Sequence, residues 1–235
     1  MSLPSNAPAS LIGRYVRLLS GRQNETADEK GELLVDTLTG TVHLVRHGEV
    51  ENPKGVIYGR LPGYNLSERG ERQAKAAGEH LKNADIGALW ASPLERAQET
   101  AQAIAEHHST AITTDERLIE SDSTLEGVSR TLWGVVRNPL RWWHLRNPLA
   151  PSWGESFADI RLRMASAVGE ALEAAAGREV VVVSHQTPVI VARLALTRSR
   201  RPPWLDRLPC ETGSVTTLVL DEGKVLSANY FRSGD

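Results

Sequence analysis

One short apolar run that ends abruptly in charged residues constrains the fold of this 235-residue chain most. Residues 41–49 read TVHLVRHGE, so a stretch rich in valine and leucine is followed at once by Arg46 and His47. Such a run is typical of a buried strand in a parallel sheet. Ligands of open α/β sheets bind beyond the carboxyl ends of the strands. The pair therefore indicates either a binding site or, equally simply, a surface turn.

A second junction follows the apolar segment 88–91. Ser92 comes next and is predicted to cap a helix, with a proline at the first helical position and Glu95 closing a capping box. Arg96 then lies in the opening turns, where the helix dipole disfavours a cation unless an anion joins it. The alternative is an arginine that extends into solvent or pairs with Glu99.

A third junction follows the valine run 180–183, which predicts a strand buried on both faces. This run ends in a serine and His185, and an apolar helix is predicted to follow over 189–196. Because parallel strands end at the same edge of a sheet, the three junctions are expected to meet. Two arginines and the N-termini of helices suit a phosphate, whose oxygens they bind through several hydrogen bonds. The three junctions together therefore favour a phosphate site.

The remaining pattern predicts one α/β domain over residues 41–235, with a helix over 67–82. Strands and helices alternate, and residues 215–230 read as an antiparallel hairpin at the edge of the sheet. We expect a three-layer α/β/α sandwich with a mostly parallel central sheet. Residues 1–40 read as an N-terminal extension, linker-like over 21–31, with an amphipathic helix over 11–19 that docks on the domain or on a second subunit of a homo-oligomer.

Composition narrows the class of protein. Lys and Arg number 27 against 29 Asp and Glu, a formal charge of -2, which gives no global field towards nucleic acid or a membrane surface. The single cysteine, Cys210, excludes an intramolecular disulfide and a cysteine-rich zinc site. No segment reaches the roughly 18 apolar residues of a membrane span. The expectation is a soluble cytoplasmic protein that binds neither nucleic acid nor membrane.

The ordered motifs resemble those of the histidine phosphatase superfamily, in its phosphoglycerate-mutase-like branch, from residue 41 to the C-terminus. The matching residues are Leu44 to Glu49, Gly59 and Arg60, Leu66 to Glu68, Gly70, Gln73 and Ala74, Ser92 and Pro93, Arg96 and Ala97, Thr100, Leu118, Glu120, Glu126 and Gly127, Gly154 to Ser156, Asp159, Arg163, and Ser184 with His185. The resemblance implies that His47 is phosphorylated and that Arg46, Arg96 and His185 hold the phosphoryl group. It also implies that an acid at or near Glu120 protonates the leaving oxygen.

Several positions depart from the family pattern. The segment 120–127 is about one residue short, so Asp122 and Glu126 remain alternatives to Glu120 as the acid. Asn52, whose counterpart contacts phosphate, comes one position early, and Gln186 replaces a glycine after the second histidine. The candidate substrate-binding residues are Arg46, Asn52, Arg60, Arg96, His185 and Gln186.

The chemistry that these residues suit is phosphoryl transfer through a phosphohistidine. A neutral imidazole is a competent nucleophile near pH 7, and arginines can supply the positive charge, so no metal and no cofactor is expected. The predicted function is a metal-independent phosphomonoesterase of the histidine acid phosphatase type, acting on a small phosphorylated metabolite. The alternatives are a phosphoglycerate mutase and a non-catalytic phosphate-binding scaffold.

The segment 128–154 has an unusual composition, with four arginines, four tryptophans and no acidic residue. We expect a lid insertion over the site, with one helix around Leu140 to Arg146 between proline-rich loops. Such a lid favours a phosphate ester with a flat or apolar body, or one with a second anionic group. The alternative is that the tryptophans fill core and the arginines are solvated. If the lid is scaffolding, specificity is sought around Asn52, Tyr58, Arg60 and Gln186.

Overall fold

The structure, a computed structural model, describes residues 26–123, 126–129, 154–199, 201–206 and 208–234. The elements before residue 124 are α1 (Ala27–Val35), β1 (Gly40–Arg46), α2 (Glu68–Leu81), β2 (Ile86–Ala91), α3 (Glu95–Ala105), β3 (Ile112–Thr114) and a 3-10 turn (Glu116–Leu118). The later elements are α4 (Phe157–Ala174), β4 (Glu179–Ser184), α5 (Gln186–Leu196), a second 3-10 turn (Pro203–Leu205), β5 (Val215–Asp221) and β6 (Lys224–Phe231).

The central sheet has six strands in the order β3-β2-β4-β1-β5-β6. The first four are parallel to one another, whereas β5 runs antiparallel to both β1 and β6. The α/β class and the antiparallel hairpin at the sheet edge are therefore confirmed. The strands that carry the three predicted junctions, β2, β4 and β1, are consecutive in the sheet, so their carboxyl ends are side by side.

Two hydrophobic cores cover the two faces of the sheet, which confirms the three-layer arrangement. Successive valines of β4 alternate between them: Val180 and Val182 face α1, α4 and α5, whereas Val181 and Val183 face α2 and α3. All four are fully buried. Burial of each such side chain contributes roughly 1.5–3 kcal/mol, which explains why the strand reads as an uninterrupted apolar run.

Helix α2 begins where the sequence predicts. The side-chain oxygen of Ser67 accepts a 3.1 Å hydrogen bond from the Gly70 N–H, and the Ser67 N–H donates to the Glu49 carbonyl at 2.9 Å. A Cβ on Gly70 would lie 1.9 Å from the Glu49 carbonyl oxygen, and one on Gly48 would lie 2.4 Å from the Gly70 carbonyl oxygen. Glycine is therefore required at both places, since the loop after β1 and the first turn of α2 touch through their backbones.

The end of the predicted linker is helical. Thr26 and Glu29 form a capping box at the start of α1, in which the Thr26 N–H donates to the Glu29 carboxylate at 2.8 Å. Leu34, Val35 and Leu38 are buried in the core that contains α4 and α5. The expectation of a linker over 21–31 is thus wrong from residue 27 onwards. That expectation was based on the polar composition of 21–31, whereas the apolar residues that this helix buries come after residue 31.

Two other predicted features lie outside the described residues: the amphipathic helix over 11–19 and, except for its two ends, the lid over 128–154. None of the helices in the described part of the chain is both long enough and apolar enough to span a membrane.

Candidate active site

A cavity of about 300 Å³ opens at the carboxyl ends of β1 and β4. Arg46 and His47, at the end of β1, line it together with residues 56–59 on one wall and residues 120–123 on the other. Residues 186–187, at the start of α5, complete the lining. Its position is the one that the topology of a parallel sheet favours for a ligand.

His47 lies at this cavity with a defined orientation. Its backbone N–H donates to the Ser184 carbonyl at 3.0 Å, and its ring Nδ1 lies 2.7 Å from the Gly48 carbonyl oxygen. A carbonyl only accepts, so Nδ1 carries the ring proton and Nε2 is left with its lone pair. Burial, followed by the charges of Arg96 and Arg46, holds the pKa of His47 well below its ordinary value. His47 is therefore a neutral imidazole, as nucleophilic attack requires.

The loop after His47 is held by two side chains of neighbouring helices. The hydroxyl of Thr100 accepts a 3.1 Å hydrogen bond from the Gly48 N–H, and the amide oxygen of Gln73 accepts a 2.9 Å bond from the Glu49 N–H. These motif residues therefore fix the backbone that orients the imidazole.

Arg46 and Arg96 each use part of the guanidinium to bind the protein. The Nη1 of Arg46 donates to the Cys210 carbonyl at 2.6 Å, and the Nη2 of Arg96 donates to the Gly59 carbonyl at 2.6 Å. Arg96 is fully buried and lies 4.9 Å from the centre of the Tyr58 ring. The Nε of Arg46 and both Nε and Nη1 of Arg96 are buried without a hydrogen-bond partner within the described ranges.

The alternative of an Arg96–Glu99 pair is wrong. The carboxylate of Glu99 instead accepts from the Leu66 N–H at 2.7 Å and from the Asn65 side chain, which ties the loop before α2 to α3. Glu99 therefore does not neutralise Arg96, whose charge acts instead on His47 and lowers the pKa of that imidazole.

His185 is fully buried beside His47, with the two ring centres 5.0 Å apart. Its Nε2 lies 2.7 Å from the hydroxyl oxygen of Ser92, and its Nδ1 is buried without a hydrogen-bond partner in the part of the chain that the structure describes. Burial, with the charges of neighbouring residues, holds the pKa of His185 well below its ordinary value. Like His47, it is neutral.

Ser92 corrects one prediction. It does not cap a helix: α3 begins at Glu95, and Leu94 occupies the cap position with no side-chain hydrogen bond. The hydroxyl of Ser92 is bonded to His185 instead. The sequence shows Ser92 and the proline after it, but a capping box was a sufficient explanation for both. The hydrogen bond from Ser92 to His185, 93 positions later, was therefore not predicted.

Four buried nitrogens of Arg46, Arg96 and His185 have no hydrogen-bond partner among the described residues. All three residues are close to His47, since the His185 ring centre is 5.0 Å away and the charges of both arginines lower the pKa of His47. Buried polar groups in folded proteins are nearly always hydrogen-bonded, so a cluster without partners calls for an explanation. A tetrahedral anion with several acceptor oxygens supplies it, since guanidinium groups bind such oxygens strongly. The geometry therefore fits a phosphoryl group placed next to the Nε2 of His47.

Glu120 is the carboxylate best suited to hold a proton at the cavity. Burial raises its pKa, against the opposing effects of a 2.8 Å hydrogen bond from the Ser121 N–H and of the charges on Arg46 and Arg96. Of the two alternative acids, Asp122 also lines the cavity but is exposed. The carboxylate of Glu126 instead accepts a 2.6 Å hydrogen bond from the Arg60 N–H.

The substrate-binding candidates divide into two groups. Gln186 lines the cavity and is exposed. The amide of Asn52 is bonded at both ends to the Val56 backbone, at 2.9 and 3.1 Å, and Arg60 is bonded to the Glu120 carbonyl at 2.7 Å and to Glu155 at 3.1 Å. The structure therefore does not bring the side chains of Asn52 and Arg60 to the cavity wall.

The sequence of this domain matches a known family. Residues 42–231 match the family model of the histidine phosphatase superfamily (branch 1). The chain belongs to this superfamily. The superfamily assignment confirms the resemblance carried by the motifs, and it accounts for the cluster of arginines and histidines at the sheet edge.

Among relatives of this superfamily, an uncharacterized protein of Mycobacterium tuberculosis strain H37Rv is 50% identical over 194 residues, covering 80% of this chain and 94% of the relative. Phosphoserine phosphatase 1 of Hydrogenobacter thermophilus is 32% identical over 157 residues, covering 65% of this chain and 74% of the relative.

Solved structures show the same fold. YhfR of Bacillus stearothermophilus has a TM-score of 0.68 at 27% identity, covering 80% of this chain and 94% of that one. A mycobacterial glucosyl-3-phosphoglycerate phosphatase has a TM-score of 0.64 at 25% identity, covering 81% and 96%. Phosphatases thus recur among both the relatives and the structural neighbours of this chain.

Proposed function

We propose that this protein is a metal-independent phosphomonoesterase that works through a phosphohistidine at His47. The observation that carries the proposal is the set of four buried nitrogens close to His47 that have no hydrogen-bond partner within the described part of the chain. A protein that binds no anion here would leave these groups uncompensated, at roughly 1–3 kcal/mol or more each. A phosphoryl group in contact with them removes that cost and lies next to the nucleophile. The phosphate-binding scaffold shares this feature and is distinguished from an enzyme by the hydrolysis screen below.

In the first step, the lone pair of the His47 Nε2 forms a bond to phosphorus, and the bond from phosphorus to the ester oxygen breaks. Arg46, Arg96 and the Nδ1–H of His185 bind the non-bridging oxygens and stabilise their charge in the transition state. The leaving oxygen takes the proton of Glu120, which burial helps to keep protonated. An alcohol leaves, and His47 carries the phosphoryl group.

In the second step, water attacks the phosphohistidine and the nitrogen–phosphorus bond breaks. The carboxylate of Glu120, now deprotonated, accepts a proton from the attacking water. Inorganic phosphate leaves, and His47 and Glu120 return to their initial states. The arginines supply the cationic charge in both steps, so the proposal requires no metal ion.

The described walls of the cavity suit an ester whose body is hydroxylated and not anionic. The lining includes Val56, Ile57 and Tyr58, which are apolar or aromatic, and the serines Ser121 and Ser123. The exposed carboxylate of Asp122 also lines the cavity and would repel a second anion. The substrates named for one relative and one structural neighbour, phosphoserine and glucosyl-3-phosphoglycerate, both carry a carboxylate. Small phosphate esters with and without a carboxylate are therefore the classes to compare.

The same charges favour a phosphatase over a mutase. A phosphoglycerate mutase binds a second anionic group of its substrate, whereas the described lining adds the carboxylate of Asp122 and no Arg or Lys besides Arg46. A mutase would convert phosphoglycerates without net release of phosphate. A phosphatase releases phosphate from a range of esters.

The test is a hydrolysis screen over neutral, amine-bearing and carboxylate-bearing phosphate monoesters, including phosphoglycerates, with labelling by radioactive substrate. We expect phosphate release and an acid-labile label on His47, and neither in His47→Ala. Label in His47→Ala would disprove the assignment of the nucleophile. Phosphoglycerate interconversion without phosphate release would support the mutase instead.

The acid is tested by the leaving group. General acid catalysis contributes roughly 100- to 10,000-fold, and an aryl phosphate with a good leaving group needs it least. Glu120→Gln should therefore slow the hydrolysis of alkyl phosphates by roughly 100- to 10,000-fold and the hydrolysis of aryl phosphates far less. A larger selective loss in Asp122→Asn or Glu126→Gln would transfer the role to that residue.

A further inference from the structure

Side chains bind three of the four backbone carbonyls in the segment 117–120, which ends at Glu120. The Nε of Arg60 donates to the Glu120 carbonyl at 2.7 Å, and the hydroxyl of Ser184 donates to the Leu118 carbonyl at 2.6 Å. The Nη1 of Arg163 donates to the Arg117 carbonyl. The segment between the first 3-10 turn and the cavity is therefore fixed by side chains from three separate parts of the chain.

One carboxylate joins the two arginines of this arrangement. Glu155 accepts from Arg163 through both oxygens, with Nε at 2.7 Å and Nη2 at 3.0 Å, and its Oε2 also accepts from the Arg60 Nη2 at 3.1 Å. The side chains of Glu155 and Arg163 are only 17% and 14% exposed. A two-pronged pair in such a site is stronger and better oriented than an exposed ion pair.

The residue before Glu155 is pressed against the same segment. Gly154 pairs with Ser123 in an isolated antiparallel bridge, and a Cβ on Gly154 would lie 1.9 Å from the Asp122 carbonyl oxygen. Glu155 therefore enters the arrangement from a backbone that is itself in contact with the segment after Glu120. Glu155 does not line the cavity.

We propose that Glu155 is a positioning residue for the general acid, acting through Arg60 and Arg163 on the backbone of Glu120. This inference rests on the proposed role of Glu120. Loss of the Glu155 charge leaves the two guanidinium groups without their common partner, so each is free to leave its carbonyl. Proton transfer to a leaving oxygen tolerates little displacement, since about 1 Å can cost on the order of 100-fold in rate.

The experiment compares Glu155→Gln with wild type on an alkyl phosphate and on para-nitrophenyl phosphate. We expect kcat/KM to fall about ten- to hundredfold for the alkyl ester and to stay within about threefold for the aryl ester, since only the former needs the acid. Because Glu155 acts through Glu120, adding Glu155→Gln to Glu120→Gln should leave the alkyl rate of the single Glu120 variant nearly unchanged.

The matched control is Glu170→Gln. Glu170 lies on α4 and holds the guanidinium of Arg117 in a two-pronged pair at 2.7 Å. Unlike the guanidinium groups that Glu155 holds, this one is bonded to Asp115, Ser166 and Glu170 and, within the residues that the structure describes, to no carbonyl of the Glu120 segment. This variant should keep the wild-type ratio between the two esters even if its Tm falls. If Glu155→Gln does not fold, Arg60→Lys replaces it, because an ammonium group cannot hold the Glu120 carbonyl and Glu155 together in the same geometry. Its alkyl-selective loss should be of the same kind.

Three outcomes decide the matter. An alkyl-selective loss in Glu155→Gln or Arg60→Lys, absent in Glu170→Gln, supports the inference. If the ratio of kcat/KM between the two esters stays at its wild-type value in these variants, whether or not both rates fall, the inference is overturned. The proposed acid would still stand in that case, provided that Glu120→Gln itself is selective for the alkyl ester. A non-selective Glu120→Gln variant would show that the proposed acid itself is wrong and would overturn this inference with it.

Discussion

His185 and Ser92 share a 2.7 Å hydrogen bond between the imidazole Nε2 and the hydroxyl oxygen. The Leu94 N–H also points at that oxygen, at 3.4 Å, so the hydroxyl proton is available to the imidazole. With Nε2 as the acceptor, the ring proton of neutral His185 is on Nδ1, the nitrogen that is buried without a partner among the described residues. Ser92 thus favours the tautomer that the proposed mechanism requires, in which the Nδ1–H of His185 is the donor to a phosphoryl oxygen.

Ser92→Ala should therefore lower kcat/KM by about tenfold. This loss is smaller than the roughly 100-fold or more that removal of an oxyanion donor causes, because the donor, His185, is still present in the variant. The measurement is steady-state kinetics beside thermal unfolding. Ser67→Ala is the control, since that serine caps α2 and its loss should cost about 1 kcal/mol of stability with little effect on rate. Unchanged kinetics in Ser92→Ala would mean that the tautomer is set elsewhere.

Arg96→Lys tests the guanidinium geometry. Arg96 binds the Gly59 carbonyl with one nitrogen and leaves two others unpartnered in the described structure, which a single ammonium group cannot reproduce. We expect kcat to fall by about 100-fold or more and inorganic phosphate to inhibit less strongly. Arg178→Lys is the control, because Arg178 is half exposed and pairs with Asp85 far from the cavity. Wild-type inhibition by phosphate in Arg96→Lys would contradict a direct contact.

The sequence predicted those parts of the site that follow directly from the ends of buried strands. Arg46 is the last residue of β1, and His47 and His185 come immediately after β1 and β4. The carboxyl ends of neighbouring parallel strands lie at the same edge of the sheet, so these residues are expected to meet there. Arg96 was predicted for a different reason: the helix dipole disfavours a cation in the first turn of a helix, so an arginine there indicates that an anion binds beside it.

The sequence could not predict contacts that depend on how loops fold back. The predicted capping box gave Ser92 a role within its own helix, and no residue near Ser92 in the sequence indicates that β4 places His185 beside it. Arg60 and Asn52 fall in the right order for substrate contacts, yet both are bonded to their own surroundings. The helical start of α1 was missed because its buried face lies at its far end, beyond a polar stretch.

Metal independence remains a prediction. The described residues contain no group of three His, Cys, Asp or Glu side chains arranged as metal ligands, and the proposed mechanism takes its positive charge from Arg46 and Arg96. Activity should survive dialysis against a strong chelator, measured with the same ester before and after. Recovery of a lost activity on adding a divalent metal would contradict the mechanism.

The last prediction concerns stability and pH. Burial lowers the pKa of His43, His47 and His185, while in the unfolded chain each histidine has its ordinary value of 6.5. Below that pH the unfolded state binds more protons than the folded state, so the free energy of unfolding should fall as the pH falls. Glu120 acts in the opposite sense, because its raised pKa favours the folded state at low pH and this contribution is lost as the pH rises above its ordinary value of 4.5.

Each histidine that stays neutral in the fold should cost about 2 kcal/mol between about pH 7 and about pH 5. The contribution of His43 should be the smallest, since Glu179, 2.6 Å from its Nε2, favours the charged form. The measurement is urea unfolding at both pH values in a phosphate-free buffer, because a bound anion would favour protonated imidazoles at the cavity. His47→Asn should lose about 2 kcal/mol less than wild type over this range. Equal pH dependence in the two proteins would show that folding does not lower the pKa of His47, and the burial and cationic surroundings of this imidazole would then not explain a neutral nucleophile.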